Sequence, residues 1–389
     1  IQIRRQIVRE VHRLFADRLS EREAVGELRT LRSIPSGFVD FASNDYLSIA
    51  SNGTLLSAAR KKLDDFSDQA CGATGSRLIS GDSPLIAEFE EYLSNFYKSE
   101  SAIVFPTGYM ANLGIIGALG TIEEIQFYYD EQIHASVRDG FRLSKRRAIK
   151  FRHNDLHHLE DLLKRTQKIP IIYVESVYSM DGDRACLLEI SQLAKRYHAQ
   201  IIVDEAHSGG IFGPNGQGAC YEAEIPKELL LAQVFGLGKA HGCQGGVIAC
   251  SQVFKNFIVN FSRPFIYSTG PSVPMLLTAW ASFELVANAH NERASLQRII
   301  RCFHTSANST QSISWFTNNT PIQYCRFQST TLLRAAAMNA QESHMYVVPI
   351  FSPTVSHSLE RLRITLHSHN TEEEVKNLVD LLSAGELLK

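Results

Sequence analysis

The sequence lacks the features that would tie the protein to a membrane or to nucleic acid. Its 389 residues carry a formal net charge of −2, and 21% of them are charged, without a long block of like charges. This composition gives no bulk attraction to nucleic acid or to an anionic membrane. The apolar runs are far too short to cross a bilayer. We therefore expect no nucleic-acid partner and no membrane association.

Paired cysteines are also missing. The seven cysteines include no CxxC pair and do not cluster with histidines (71, 186, 220, 243, 250, 302 and 325). This spacing argues against a structural zinc site or a disulfide framework and predicts free thiols in a reducing compartment. The N-terminal stretch is a charged amphipathic pattern without a hydrophobic signal core, and acidic residues interrupt its basic ones, which disfavours a transit peptide. We expect a cytoplasmic protein without a metal site.

Short apolar runs alternate with helical patterns through the middle of the chain. The runs lie at 101–105, 125–130, 148–151, 169–176, 199–205, 232–236 and 245–250. Buried strands separated by helices predict βαβ units and a mostly parallel sheet, hence an α/β fold. Segments 276–303 and 371–388 have helical patterns, and 361–366 has a strand pattern. In such sheets the chemistry lies where strands end and loops lead into helices.

Lys239 lies in a run of glycines directly after one of these strands. A nucleotide-binding P-loop is excluded, because Ala240 replaces the required Ser or Thr and Gln233 replaces the first glycine. A flexible linker is disfavoured, since strands flank the segment closely. A partly desolvated amine at a strand end suits Schiff-base chemistry, although a surface lysine beside glycines is a common alternative.

Three other strand ends carry polar groups. Asp204 ends an apolar strand and His207 follows three residues later, which fits a site pair and a solvated loop equally well. The segment 107–109 opens a helix whose free amides can bind an anion, or it is a simple turn. The Gly/Ser loop 72–81 fits backbone amides that face a phosphate and a structural Ω-type loop equally well. Together an acid, a histidine, a lysine and an anion-binding helix start are what pyridoxal phosphate requires.

Eight motifs occur in the order seen in the α-oxoamine synthases, which the chain resembles from about residue 26 to its end. They are FASNDYLSIAS (41–51), GATGSRLISG (72–81), FPTGYMAN (105–112), DEQIHAS (130–136), RHND (152–155), ESVYSMDGD (175–183), VDEAHSGGIFGPNGQG (203–218) and GLGKAHGCQGG (236–246). The resemblance implies a fold-type I pyridoxal phosphate transferase with a mostly parallel sheet in a large domain. Its implied divisions are an N-terminal helix and arm (1–45), the large cofactor-binding domain (46–280) and a smaller α/β C-terminal domain (281–389).

The resemblance also assigns roles to individual residues. It implies that Lys239 holds the cofactor as a Schiff base, Asp204 pairs with its pyridine nitrogen, His207 bonds its phenolic oxygen and His134 stacks on its ring. These four residues are the expected catalytic set. The further cofactor contacts it implies are Gly108, Tyr109, Ser179 and Thr269, and the substrate contacts are Arg363 (which suits a carboxylate clamp), Arg29, Asn44 and Thr354. It implies a homodimer with shared active sites, in which loop 72–81 and Thr269 reach the partner's cofactor.

The implied reaction is the decarboxylative condensation of an amino acid, with L-alanine favoured, and an acyl thioester. A pimeloyl group carried on CoA or on a carrier protein is favoured, as in biotin biosynthesis. A glycine-using ligase that takes acetyl-CoA, another α-oxoamine synthase, or a non-catalytic homologue are the alternatives.

Three positions depart from the pattern of the family. Gly236 stands where a Thr or Ser hydroxyl usually binds the cofactor phosphate, and the loss of such a bond costs about 1.5–3 kcal/mol. His241 and Gln244 also differ from the usual residues, and both are expected to adjoin the site.

Overall fold

A seven-stranded sheet forms the centre of the protein in the computed structural model, which describes residues 2–66, 71–310 and 313–384. The strand order is β2-β8-β7-β6-β5-β3-β4, and β8 alone among these seven runs antiparallel to its neighbours. The predicted α/β class and mostly parallel sheet are confirmed. After a short strand β1 (Val39–Asp40), the strands are β2 (Ser101–Phe105), β3 (Ile125–Asp130), β4 (Ala148–Phe151), β5 (Ile169–Glu175), β6 (Gln200–Asp204), β7 (Leu230–Gly236) and β8 (Gly246–Cys250).

The strands form where β-branched and aromatic residues are buried on both faces of the sheet. All five residues of β2 and all five of β8 are buried. Helices pack on both faces, so the central strands have apolar residues at successive positions rather than at alternating ones. This is why the sequence pattern predicted β2 to the residue. Strands β3 and β4 were also predicted to the residue, from their apolar and aromatic side chains, although the edge strand β4 is only partly buried.

Helices connect the strands, and several begin at a side chain that caps the first turn. The Thr107 hydroxyl accepts from the Met110 amide at 3.2 Å, and the Asp155 carboxylate accepts from the His158 amide at 2.8 Å. Eleven described helices precede residue 289: α1 (Gln2–Ala24), α2 (Thr54–Asp65), α3 (Pro84–Tyr97), α4 (Gly108–Leu119), α5 (Ala135–Ser144), α6 (Leu156–Leu163), α7 (Leu187–Arg196), α8 (Ala219–Glu222), α9 (Gln252–Phe261), α10 (Arg263–Ile266) and α11 (Val273–Asn288).

A second, antiparallel sheet lies in the C-terminal part, with the order β12-β13-β10-β9. The predicted strand 361–366 belongs to it, and the predicted helical segment 276–303 is two helices that meet at Ala289. Residues 385–388 of the other predicted helix lie outside the described residues. The elements are α12 (His290–Asn308), β9 (Ser314–Phe316), β10 (Ile322–Arg326), α13 (Thr330–Glu342), β11 (Met345–Tyr346), β12 (Val348–Ile350), β13 (Arg361–Thr365) and α14 (Glu372–Ser383).

The N-terminal arm joins this C-terminal part through a small parallel pairing. Val39 of β1 pairs with Met345 of β11, and Asp40 pairs with Tyr346. The predicted domain boundaries at residues 45 and 280 stay a prediction. No described helix is long and apolar enough to cross a membrane.

Two histidines in the fold have pKa values that are shifted in opposite directions. His153 lies between two carboxylates, with Nδ1 2.9 Å from Asp130 and Nε2 2.7 Å from Asp183. Burial opposes protonation there, but the two carboxylates outweigh it and raise the pKa of His153 to about 10. His241 is 1% exposed, and burial lowers its pKa to about 3.

We expect the His241→Leu variant to resist acid better than the wild type. The unfolded chain binds a proton at His241 near pH 6.5 and the folded chain does not, so the wild type loses stability as the pH falls below 6.5. Between pH 7 and 5 this loss is about 2 kcal/mol, and it is absent in the variant. Urea denaturation at pH 7 and at pH 5 measures this loss in the free energy of unfolding for each protein. Equal losses in the two proteins would contradict the expectation.

His153→Gln is the matched control with the opposite sign. The stabilisation from protonated His153 is fully present below pH 6.5 and disappears as the pH rises through about 10. The stability difference between wild type and His153→Gln is therefore expected to shrink from pH 7 to pH 10. At pH 5 the variant is not expected to gain stability relative to the wild type.

Candidate active site

A cavity of about 290 Å³ opens where the parallel strands of the central sheet end. It brings together six residues that the sequence singled out, from four different strand ends. Its lining consists of Thr107, Gly108, Tyr109, Asn112, His134, Ser136, Glu175, Asp204, Ala206, His207, Gly236, Gly238, Lys239, Gln244 and Gly245.

Glycines let the start of α4 approach the neighbouring strand ends at backbone distance. A Cβ atom on Gly108 would lie 3.1 Å from the Gly236 Cα, and one on Gly246 would lie 2.5 Å from the Thr107 carbonyl carbon. The first amides of a helix have no partner within the helix, so this turn presents N–H groups at its positive end. It is a site for a phosphate or another anion.

Asp204 is held at the floor of the cavity by two hydrogen bonds. Its Oδ1 accepts from the Ala206 amide at 2.9 Å and its Oδ2 accepts from Asn112 Nδ2 at 2.8 Å. The carboxylate is 5% exposed, so these donors replace most of its water.

Asn112 is a site residue that the sequence reading missed. It is buried, and all of its side-chain polar groups are used: Nδ2 also donates to Ser136 at 2.9 Å, and Oδ1 accepts from the Tyr173 hydroxyl at 2.6 Å. A lone asparagine one turn into an otherwise apolar helix was the available signal, since such a group needs buried partners.

His134 caps α5 and lines the cavity. The Ser136 amide donates to Nδ1 at 3.2 Å, so Nδ1 is an acceptor and the neutral ring carries its proton on Nε2. Ser136 itself receives the Asn112 hydrogen bond. The position of His134 is thus coupled to that of Asp204 through two polar side chains.

A second chain of hydrogen bonds connects His207 to Arg363 of β13. Asn44 Oδ1 accepts from Arg363 Nη2 at 2.9 Å and from the Tyr46 hydroxyl at 3.0 Å. The Tyr46 hydroxyl has one proton, which it donates to Asn44. His207 Nδ1 therefore donates to the Tyr46 oxygen at 2.6 Å, and Nε2 of His207 is the acceptor nitrogen. Burial lowers the pKa of His207 far below its usual value, and the charges of Lys239 and Arg363 act in the same direction. The imidazole is therefore neutral.

Lys239 is half-buried in the cavity. Burial lowers the pKa of its amine, with help from the Arg363 charge and against the pull of Asp204 and Glu175. A lowered pKa raises the fraction of neutral, nucleophilic amine at a given pH. This environment excludes the simple surface lysine that the sequence had left open.

Glu175 is a further residue that the sequence reading did not assign. It is register partner to Asp204 on the neighbouring strand and is 2% exposed. Burial raises the pKa of Glu175 well above its usual value, and the nearby Asp204 charge adds to this. Its Oε1 has no hydrogen-bond partner among the described residues, although the carboxyl group lines the cavity.

Six predicted residues are not part of this lining, and two of them, Asn44 and Arg363, belong to the second chain of hydrogen bonds described above. Ser179 is beside the cavity, and its carbonyl accepts from Arg363 Nε at 2.8 Å. Arg29 and Thr354 line a separate cavity of about 560 Å³. Thr269 is exposed at the surface of this chain.

The three departures from the family pattern fall in different places. Gln244 lines the cavity as expected. His241 does not adjoin the site, because its ring packs against Phe283 with centroids 4.2 Å apart on the far side of the turn. A Cβ atom on Gly236 would point into the cavity, 3.8 Å from Lys239 Nζ and 3.3 Å from the Ala206 Cβ.

The donor set fits pyridoxal phosphate. The start of α4 suits the phosphate, the buried Asp204 carboxylate suits a protonated pyridine nitrogen, and the Lys239 amine suits the aldehyde. His134 and Ala206 flank the space between them.

Comparison with known proteins agrees with this geometry. Residues 36–382 match the family described as aminotransferase class I and II. The 8-amino-7-oxononanoate synthase of Marinobacter nauticus is 32% identical over 380 residues, which cover 95% of each chain. Synthase 2 of the same name from Bacillus subtilis is 32% identical over 378 residues, covering 93% of this chain and 95% of that one.

Solved structures give the same result. A serine palmitoyltransferase from Sphingomonas wittichii has a TM-score of 0.84 at 28% identity, over 91% of this chain and 89% of that one. One from S. paucimobilis, solved with bound PLP, has a TM-score of 0.82 at 27% identity, over 90% and 87%. The 8-amino-7-oxononanoate synthase of Francisella tularensis has a TM-score of 0.77 at 27% identity, over 90% and 98%. The chain thus belongs to the aminotransferase class I and II family and, within it, to the α-oxoamine synthases, which are pyridoxal phosphate enzymes of fold-type I.

Proposed function

We propose that the protein condenses L-alanine with a pimeloyl thioester to give 8-amino-7-oxononanoate, carbon dioxide and the free thiol, in biotin biosynthesis. The observation that carries the proposal is the cavity in which the half-buried Lys239 amine shares one space with Asp204, His134 and the start of α4. The choice of alanine and a pimeloyl group follows the names of the relatives at 32% identity.

The atoms of this reaction balance without a further reagent. The Cα–H bond of alanine breaks first and its proton passes to a base. A bond then forms between the alanine Cα and the thioester carbonyl carbon, and the carbon–sulfur bond breaks to release the sulfur group, which takes up a proton and leaves as the thiol. The bond from Cα to the alanine carboxylate then breaks to release carbon dioxide, and a proton returns to Cα. Bound pyridoxal phosphate supplies the electron sink for the negative charge at Cα.

Lys239 would hold the cofactor through its aldehyde, and its free amine is the group placed to take up the Cα proton of alanine. Its lowered pKa increases the fraction of amine that can act as a base. Asp204, held by Asn112 and the Ala206 amide, would keep the pyridine nitrogen protonated. Gly108 and Tyr109 would hold the phosphate at the start of α4, and His134 would flank the ring.

Arg363 holds the alanine carboxylate. Three of its five N–H groups are taken, by the Ser179 carbonyl, Thr365 and Asn44 at 2.8–2.9 Å. These bonds fix the plane of the guanidinium. One hydrogen remains on each terminal nitrogen, which is the arrangement that grips a carboxylate with two parallel bonds.

The acyl donor enters through the cavity that contains Arg29 and Thr354. Strand β12 forms part of its wall, and Val348 of that strand is the register partner of Arg363. The donor cavity and the alanine clamp therefore lie on neighbouring strands of the C-terminal sheet.

A homodimer with shared sites accounts for the exposed apolar surface. Loop 72–81 is tied to the segment around Thr269 by a hydrogen bond from the Gly270 amide to the Gly75 carbonyl at 2.9 Å. This surface exposes Ile79 by 86% and Tyr267 by 71%. Helix α1 carries a further apolar stripe whose side chains are 39–61% exposed: Val11, Leu14, Phe15 and Leu19. A second copy that covers these surfaces brings Thr269 to the partner's cofactor.

Product analysis tests the proposed reaction. The protein reconstituted with pyridoxal phosphate is expected to form 8-amino-7-oxononanoate from alanine and a pimeloyl thioester, as measured by mass spectrometry. Lys239→Ala is expected to lose the absorbance of lysine-bound cofactor and at least about 100-fold in rate. Turnover of glycine with acetyl-CoA in preference to this pair would overturn the substrate assignment. The absence of cofactor absorbance in the wild type would overturn the proposal that the protein is a pyridoxal phosphate enzyme.

A hydroxyl at position 236 is expected to tighten cofactor binding. A Cβ at position 236 lies in the cavity beside the start of α4, and a hydrogen bond from the added hydroxyl to a charged group is worth about 1.5–3 kcal/mol, or roughly tenfold or more in the dissociation constant. Titration of the apoprotein with pyridoxal phosphate measures this constant.

Gly236→Ala is the control for that titration, because it adds the same Cβ beside Ala206 without the hydroxyl. Ser and Ala variants that bind the cofactor equally well would show that no phosphate hydrogen bond is missing in the wild type.

A further inference from the structure

A strongly basic surface runs from the second half of α5 to the end of β4. Between residues 138 and 152 there are seven lysines and arginines and a single acidic residue, whereas the whole chain has a net charge of −2. We call these seven cations the basic face: Arg138, Arg142, Lys145, Arg146, Arg147, Lys150 and Arg152. The face carries far more positive charge than any average over the chain suggests.

The positive charge of the basic face exceeds that of its acidic neighbours. Four of its members have a carboxylate within 4 Å, two at 2.6–2.8 Å and two at 3.7–3.9 Å. In the described part of the chain, no carboxylate lies that close to Arg138, Lys145 or Arg147. All three of these are exposed. Arg142, Lys150 and Arg152 are 63–78% exposed as well.

Local structural roles account for part of this charge only. A cation at the end of a helix compensates the helix dipole, which covers Arg142 and Lys145 of α5. A lysine on an edge strand discourages sheet extension, and β4 is an edge strand with Lys150 on it. Arg146 donates to the Gly120 carbonyl at the end of α4 and so has a role of the first kind. Arg147 and Arg152 flank β4 and serve neither purpose.

The basic face begins at the wall of the active-site cavity. Tyr109 lines the cavity, and its hydroxyl donates to Asp139, which pairs with Arg142 at 2.8 Å. Arg138 lies one helical turn after His134. Helix α5 has ten residues and spans about 15 Å, so the face extends from the cavity wall over that distance.

We propose that the basic face docks an acidic carrier protein, which presents the acyl thioester on a flexible arm. The inference rests on the proposed condensation and selects a carrier-bound donor over a CoA-bound one. Seven cations on a helix end, a turn and an edge strand match an acidic protein surface of similar extent, and such complementarity steers association and fixes the orientation of the partner.

The form of the face disfavours a compact polyphosphate such as that of CoA. Its central basin of about 520 Å³ is lined by five of these cations together with Glu131, whose carboxylate opposes a bound phosphate. The end of α5 that lies there is its C-terminus, which carries the negative end of the helix dipole, whereas phosphate sites use helix N-termini. Long exposed side chains reach separate carboxylates on a protein more readily than they converge on one phosphate group.

The test compares two donors with two charge-reversal variants of the cofactor-loaded enzyme. Lys145→Glu/Arg147→Glu changes two exposed cations that have no described acid partner and do not touch the cavity. Lys195→Glu/Lys227→Glu makes the same change in charge at two exposed positions elsewhere. The donors are pimeloyl-CoA and a pimeloyl-loaded acyl carrier protein of net negative charge.

The first variant is expected to raise KM for the carrier-bound donor at least tenfold, with kcat and the KM for pimeloyl-CoA unchanged. The second variant is expected to change neither KM, and added salt is expected to raise the carrier KM of the wild type only. A rise confined to pimeloyl-CoA, or equal effects on both donors, would overturn the proposal.

Binding of the same loaded carrier protein to the enzyme, measured by calorimetry, gives a readout that does not depend on turnover. If neither donor yields product but the carrier binds the wild type and not the first variant, the condensation is wrong and the docking face stands. If the carrier binds both equally, or neither, the docking face is wrong.

Discussion

The buried charge of Asp204 is the constraint on which the rest of the site depends. A carboxylate that is 5% exposed needs donors in place of water, and the protein supplies them from the following turn and from α4. Asn112 supplies one of them and passes its second hydrogen to Ser136, which positions His134. The need to stabilise the buried Asp204 carboxylate therefore fixes the spacing of α4, β6 and α5. The amine of Lys239 lies in the same cavity as this carboxylate.

Around this centre, the protein separates charged from neutral groups by environment. Asp204 is held by two hydrogen bonds, while the Oε1 atom of its neighbour Glu175 lacks a partner and burial raises the pKa of Glu175 well above its usual value. His207 is neutral because it is buried next to two cations. The cavity thus combines a hydrogen-bonded carboxylate, a carboxyl group whose protonated form is favoured by burial and a neutral imidazole, a combination that supports a cationic ring nitrogen without a general excess of negative charge.

The sequence predicted the sheet and much of the site, for physical reasons that particular residues illustrate. Apolar and aromatic runs mark strands, so β2, β3 and β4 were found to the residue even though β4 is only partly buried at the sheet edge. The strand ends then placed Asp204, His207 and Lys239 together. Asn112 and Glu175 were missed because their importance comes from burial among partners on other strands. His241 was placed wrongly because adjacency to Lys239 in sequence does not give the direction of a side chain in a tight turn. The charge of the basic face was hidden by an average over the chain, since no run of like charge exceeds three residues.

The contact between Gly108 and Gly236 has a consequence for how such sites change over time. The anion site at the start of α4 is shaped where backbone meets backbone, with the Gly236 Cα 3.1 Å from where a Cβ on Gly108 would lie. Its outline is therefore independent of the side chain at position 236, which adds or removes a single hydrogen bond without reshaping the turn. A lineage can alter how firmly it retains its cofactor at that position while the fold and the catalytic geometry stay as they are.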